Sequence, residues 1–120
     1  MKNLANLFKA LSDETRLVMM NMLLRHGELC VCDFVEAMEI TQSKASRHLR
    51  YLFNAGLLDD RREGLWSHYR IKADPGGQPE AVLQAVAPLL KEPIADVERR
   101  LESWIRGKAK DGGVCRRKTG

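Results

Sequence analysis

The sequence predicts a mainly α-helical domain carrying one two-stranded β-hairpin, with terminal helical regions that pair two copies. Three observations predict it. Apolar residues recur at helical spacing up to Asn54, two strand-like runs flank Gly64, and helical spacing returns from Pro79.

Leu4, Leu7, Phe8 and Leu11 fall at i, i+3, i+4 and i+7, one face of a first helix. Ser12 is placed to cap a second helix over about residues 13–26, with Asp13 and Glu14 at its positive end. Leu17, Met20 and Leu24 are its expected buried residues, and Gly27 its stop. Residues 28–40 read as a short third helix with Val31, Phe34 and Met38 inward. Thr41 caps a fourth helix to about Asn54, whose inner positions are Ala45, Leu49 and Leu52, with Gly56 as its stop.

Residues 57–63 and 66–72 then form the hairpin, with Gly64 in its turn. Asp74-Pro75-Gly76-Gly77 is a loop, and Pro79 opens the last helical region. One apolar stripe holds Val82, Ala85, Val86, Leu89 and Leu90. Pro93 breaks it, and Ile94, Val97, Leu101, Trp104 and Ile105 make a second. A short helix, a tight connection and a longer helix with a basic outer face constitute a helix-turn-helix, and the hairpin behind it is a wing. The terminal stripes exceed what one small domain needs, which predicts a homodimer. Residues 1–106 are thus one domain, and 107–120 a mobile basic tail carrying Cys115.

The 120 residues are 44% hydrophobic and 30% charged, the balance of an ordinary globular chain. No apolar run is long enough to span a bilayer and no export signal is visible, so no membrane partner and a cytoplasmic location are expected. The net charge of +4 is unevenly spread. Residues 44–72 carry 7 basic and 3 acidic groups, and residues 99–120 carry 8 and 2, whereas the other stretches are net acidic. A basic middle is the footprint of a nucleic-acid surface.

On the fourth helix Gln42, Lys44 and Arg47 are suited to base edges, and Ser43 and Ser46 to phosphates. His48 and Tyr51 lie further along the same face. Arg61, Arg62, His68 and Arg70 extend the basic surface onto the wing, where contacts follow phosphates and add affinity more than sequence choice. The expected partner is double-stranded DNA.

Leu11-Ser12-Asp13-Glu14-Thr15-Arg16-Leu17, Gly27-Glu28-Leu29-Cys30-Val31-Cys32-Asp33, Ser46-Arg47-His48-Leu49 and His68-Tyr69-Arg70 together resemble the ArsR/SmtB family of metalloregulatory repressors. The likeness covers about residues 4–72. It implies a dimeric winged helix-turn-helix repressor that leaves its operator on binding an inducer. It also implies that Ser46, Arg47 and His48 lie on the recognition helix, and that Asp13 and Arg16 form a structural pair.

The resemblance further implies that Cys30 and Cys32 are inducer ligands, since the Glu-Leu-Cys-Val-Cys-Asp run is similar to that of arsenic- and antimony-responsive members and of a cadmium/lead/zinc branch. The resemblance implies no constitutive cofactor and As(III) or Sb(III) as the expected inducer. Trivalent arsenic is soft and prefers thiolates. Residues two apart on a regular helix point about 200° from one another, so these thiols must sit where the helix begins or distort it. Members with this motif often carry a third cysteine where Val35 stands here. Cys115, among cations that favour a thiolate, is the remaining candidate, from the same chain or its partner. A water-derived ligand is the other option. The zinc branch's last-helix histidines have no counterpart, because residues 79–106 contain none. Two further readings stay open: a redox switch at the same cysteines, and another soft metal (Cd, Pb or Zn) there. A thiol enzyme is disfavoured, because no phosphate-cradling loop surrounds Cys30 and Cys32.

Overall fold

The computed structural model describes residues 1–91 and 93–110; Cys115 lies outside the described residues. The order is α1 (Lys2–Ala10), α2 (Glu14–His26), β1 (Glu28–Cys30), α3 (Val31–Met38), α4 (Gln42–Asn54), β2 (Leu58–Glu63), β3 (Trp66–Ile71), α5 (Gln78–Val86), a 3₁₀ turn (Ala87–Lys91) and α6 (Ala95–Lys110). Leu7, Met19, Met20, Leu23, Phe34, Leu49, Leu52 and Leu101 form one core, in which α2 is buried beneath its neighbours.

The helix-turn-helix and wing stand where the sequence put them, with three differences. Residues 28–40 are not one helix: Glu28, Leu29 and Cys30 pair antiparallel with Arg70, Tyr69 and His68. The wing therefore belongs to a three-stranded sheet in the order β1-β3-β2. Three residues are too few for a strand period to show. The cap of α2 is Asp13, whose Oδ1 accepts the Arg16 backbone N–H at 3.1 Å. Ser12 instead donates its hydroxyl back to the Lys9 carbonyl. Finally, α6 continues past Gly107 to Lys110.

Gly27 ends α2 at φ +83°, a conformation that turns the chain into β1 and that a side chain would strain. The break at Pro93 is present, between the 3₁₀ turn and α6. Several apolar side chains lie open to solvent in the single chain: Phe8, Leu24, Leu89 and Ile105. Leu24, read as a core residue, is 40% exposed. Among the described residues no helix is long and apolar enough to cross a membrane.

Candidate thiol site and nucleic-acid interface

Thr41 starts α4 by accepting the Lys44 backbone N–H at 3.1 Å. Burial of Ala45, Leu49 and Leu52 then fixes which face points out. Ser43, Arg47 and Tyr51 are exposed, and Gln42, Lys44, Ser46 and His48 are half-buried. Gln42 and Ser46 line a cleft between α4 and the wing, together with Arg50, Asp60, Arg62 and Trp66.

The wing residues divide. Cross-strand pairing sets Arg61 against His68, Arg62 against Ser67 and Asp59 against Arg70. Partners in register share a face, and alternate residues take opposite faces. Arg62 therefore joins the α4 surface, while Arg61, His68 and Arg70 occupy the other side of the sheet. There Arg61 is hydrogen-bonded to Glu28 and Glu63, and His68 lies 3.9 Å from Glu28. That hydrogen bond from Arg61 holds the Glu28 carboxyl below its usual range. The four wing residues named from the sequence are thus not brought to one surface.

Arg16 has a larger role than a pair with Asp13, which meets only its backbone. Its guanidinium donates to the carbonyls of Ala10 (2.7 Å) and Lys9 (3.1 Å) at the end of α1. It also reaches His48 Nδ1 at 3.1 Å and lies 4.1 Å from the Tyr51 ring centre. A guanidinium has only donors, so Nδ1 must accept, which leaves the ring proton on Nε2. Burial, with the charges of Arg16, Lys44 and Arg47, pushes the His48 imidazole below its ordinary value against the pull of Asp13.

The thiol site lies at the junction of β1 and α3. Cys30 is the last residue of β1 and also the N-cap of α3, with extended backbone; Cys32 is in the first turn. This placement meets the geometric demand of their spacing. The Cys32 N–H donates to Cys30 Sγ at 3.2 Å, and the Cys30 N–H to Asp33 Oδ2 at 2.8 Å, a reciprocal capping box. The two sulfurs are joined as a disulfide in this structure, where the sequence led us to expect separate thiols. Both cysteines are buried, with Trp66 and Trp104 packed on them.

Asp33, Trp104 and Lys108 were missed as site residues. Asp33 is 3% exposed, and its Oδ1 accepts from Trp104 Nε1 (2.8 Å) and Lys108 Nζ (2.6 Å) of α6. The acid at the third position of a capping box was a readable signal, but a cysteine cap hid it. Arg100 holds the far end of α3 through the Ala37 carbonyl (2.7 Å) and Glu39 (3.1 Å), so α6 runs antiparallel along α3. Among the described residues, Cys30, Cys32 and Asp33 form the group of side chains able to share one ion, their ligand atoms lying within 4.8 Å of one another.

Comparison with known proteins decides the family. Residues 13–60 match the model described as bacterial regulatory protein, arsR family. The chain is 42% identical over 94 residues to the arsenic resistance transcriptional regulator ArsR1 of Pseudomonas putida, covering 78% of this chain and 73% of the relative. The chain belongs to the ArsR family. A second Pseudomonas putida relative of that family, the arsenic resistance transcriptional regulator ArsR2, is 36% identical over 110 residues, 92% of this chain and 96% of its own. Two solved structures resemble this ArsR-family fold. One is a homodimeric winged helix-turn-helix DNA-binding domain from Mycobacterium bovis (TM-score 0.60, 32% identity, 76% of this chain and 83% of that one). The other is the antimony-specific transcriptional repressor AntR (TM-score 0.57, 35% identity, 72% and 75%). This ArsR-family chain is a DNA-binding transcriptional regulator and not an enzyme.

Proposed function

We propose that the chain is a dimeric, cytoplasmic transcriptional repressor released from operator DNA when As(III) or Sb(III) binds the reduced thiolates of Cys30 and Cys32. The observation that carries this reading is the position of the pair: it caps α3, the first helix of the helix-turn-helix, and lies one helix away from the DNA-facing α4. An ion that draws both sulfurs together acts on the cap, and through it on the angle at which α3 presents α4. The names of the relatives support the metalloid class, and the homodimeric neighbour supports the assembly. Gln42, Ser43, Lys44, Ser46 and Arg47 on α4, with Arg62 from the wing, are the DNA contacts this arrangement favours. Cys115 is a candidate third ligand.

The test is the anisotropy of a labelled fragment of the organism's own upstream DNA, with arsenite added to protein kept reduced. Release from wild type but not from Cys30→Ser or Cys32→Ser establishes the site; release from all three rejects it. A second reading has its own observation, the Cys30–Cys32 disulfide. In it hydrogen peroxide oxidises the dithiol, taking two electrons and two protons and leaving as two waters, and the disulfide form lets go of DNA. Release by peroxide, reversed by a dithiol and needing no metalloid, selects that reading. Release by cadmium, lead or zinc alone selects a different soft metal.

A further inference from the structure

Two thiolates leave the third valence of trivalent arsenic to be filled. Beside the cysteines stands a buried carboxylate with more acceptor capacity than the described residues use. A carboxylate offers about four acceptor positions. Asp33 spends one on the Cys30 N–H, one on the Trp104 indole and one on the Lys108 ammonium. One of its oxygens lies within 4.8 Å of both sulfurs. Lys108 supplies the counter-charge that a buried carboxylate needs, and α6 holds it in place.

We propose that Asp33 is the oxygen-side partner of the bound metalloid: it accepts a hydrogen bond from the one hydroxyl that stays on arsenic. This inference rests on the reading of Cys30 and Cys32 as the thiolate ligands. The chemistry balances. A phosphine first reduces the disulfide with one water, giving two thiols and the phosphine oxide. Arsenous acid then exchanges two hydroxyls for the two thiols: two S–H and two As–O bonds break, two As–S bonds form, and two waters leave. Arsenic remains trivalent throughout and keeps its third hydroxyl. That hydroxyl is the donor Asp33 receives, in a site closed over by Trp66 and Trp104.

Two probes separate the oxygen contact from the sulfur contacts. Arsenite keeps a hydroxyl after binding two thiols, whereas phenylarsine oxide fills its third valence with carbon. Quenching of the tryptophan fluorescence, in full-length protein reduced with a phosphine, reports both. Asp33→Asn is expected to weaken arsenite about tenfold or more, the scale of a lost hydrogen bond to a charged group. Phenylarsine oxide binding should be unchanged. Loss of both together assigns Asp33 to the helix cap alone and overturns the proposal, as does loss of neither. Dependence of arsenite binding on Cys115 but not on Asp33 also overturns it, in favour of a tail thiol. If Asp33→Asn does not bind operator even without arsenical, Asp33→Glu is used, because it keeps an acid at the third position of the capping box while moving the carboxylate oxygens by one methylene. It should weaken arsenite severalfold and spare phenylarsine oxide; unchanged arsenite binding rejects the proposal. Failure of the underlying reading is distinct: Cys30→Ser would then bind both arsenicals like the wild type.

Discussion

At the residue scale, Arg16 and His48 tie the end of α1 to the recognition helix. Replacing Arg16 with Met removes donors to two backbone carbonyls and to His48, and a stacking partner for Tyr51. Thermal or denaturant unfolding should show a loss of about 1–3 kcal/mol, since the Ala10 carbonyl loses a part-buried donor while the Lys9 carbonyl keeps the Ser12 hydroxyl. Operator binding should weaken as well. His48 carries a pH signature. Above the ordinary histidine value of 6.5 the ring is neutral in folded and unfolded chains. As pH falls below it the unfolded chain takes up a proton first, because burial holds the native value lower, and stability is lost. Asp13 and Glu28 titrate only later, since both lie below their ordinary values of 3.8 and 4.5. Melting curves between pH 6.5 and 4.5 should therefore fall less steeply for His48→Gln than for wild type. The sequence marked Arg16 and His48 as notable, but their contact spans 32 residues and no local pattern contains it.

At the element scale, the helices were legible because each has a stripe and a cap. Thr41→Ala should destabilise the protein by about 1 kcal/mol through loss of the α4 cap, read by urea unfolding. β1 was not legible: it exists because β3 offers an unpaired edge, and nothing within residues 28–30 announces that. The wing was legible as a hairpin but not as a surface. Listing its basic residues ignored that Arg61 and Arg62 point to opposite faces. Arg62→Ala should therefore lower operator affinity and flatten its salt dependence, while Arg61→Ala does so less, because Glu28 and Glu63 already occupy that guanidinium. Anisotropy titrations at several salt concentrations compare the two.

At the scale of the whole molecule, the terminal stripes were legible as apolar faces but not by what covers them: Val82, Val86, Leu90, Ile94, Val97, Leu101 and Trp104 pack on this chain's own core. Leu89 and Ile105 of those stripes, with Phe8 of α1 and Leu24 of α2, remain open in the single chain. The proposed dimer would cover them, and Leu89→Asp should then shift sedimentation velocity toward monomer and weaken binding to a two-fold symmetric operator. The thiol site is connected to this scale by α6, which grips α3 at Asp33 and at Ala37 and Glu39. That tether was illegible in sequence because its two ends are separated by more than 60 residues. It joins the cysteine pair and the helix-turn-helix to α6 by direct contacts, a path by which a ligand could favour one shape of the proposed dimer over another.

Linkage provides the most direct test of that account. Arsenite affinity would be measured by tryptophan quenching on reduced protein, alone and saturated with operator. The account predicts weaker arsenite binding on DNA, by the same factor by which arsenite weakens operator binding. Equal arsenite affinity for the free and the operator-bound protein would contradict it, whatever ligand the cysteines hold.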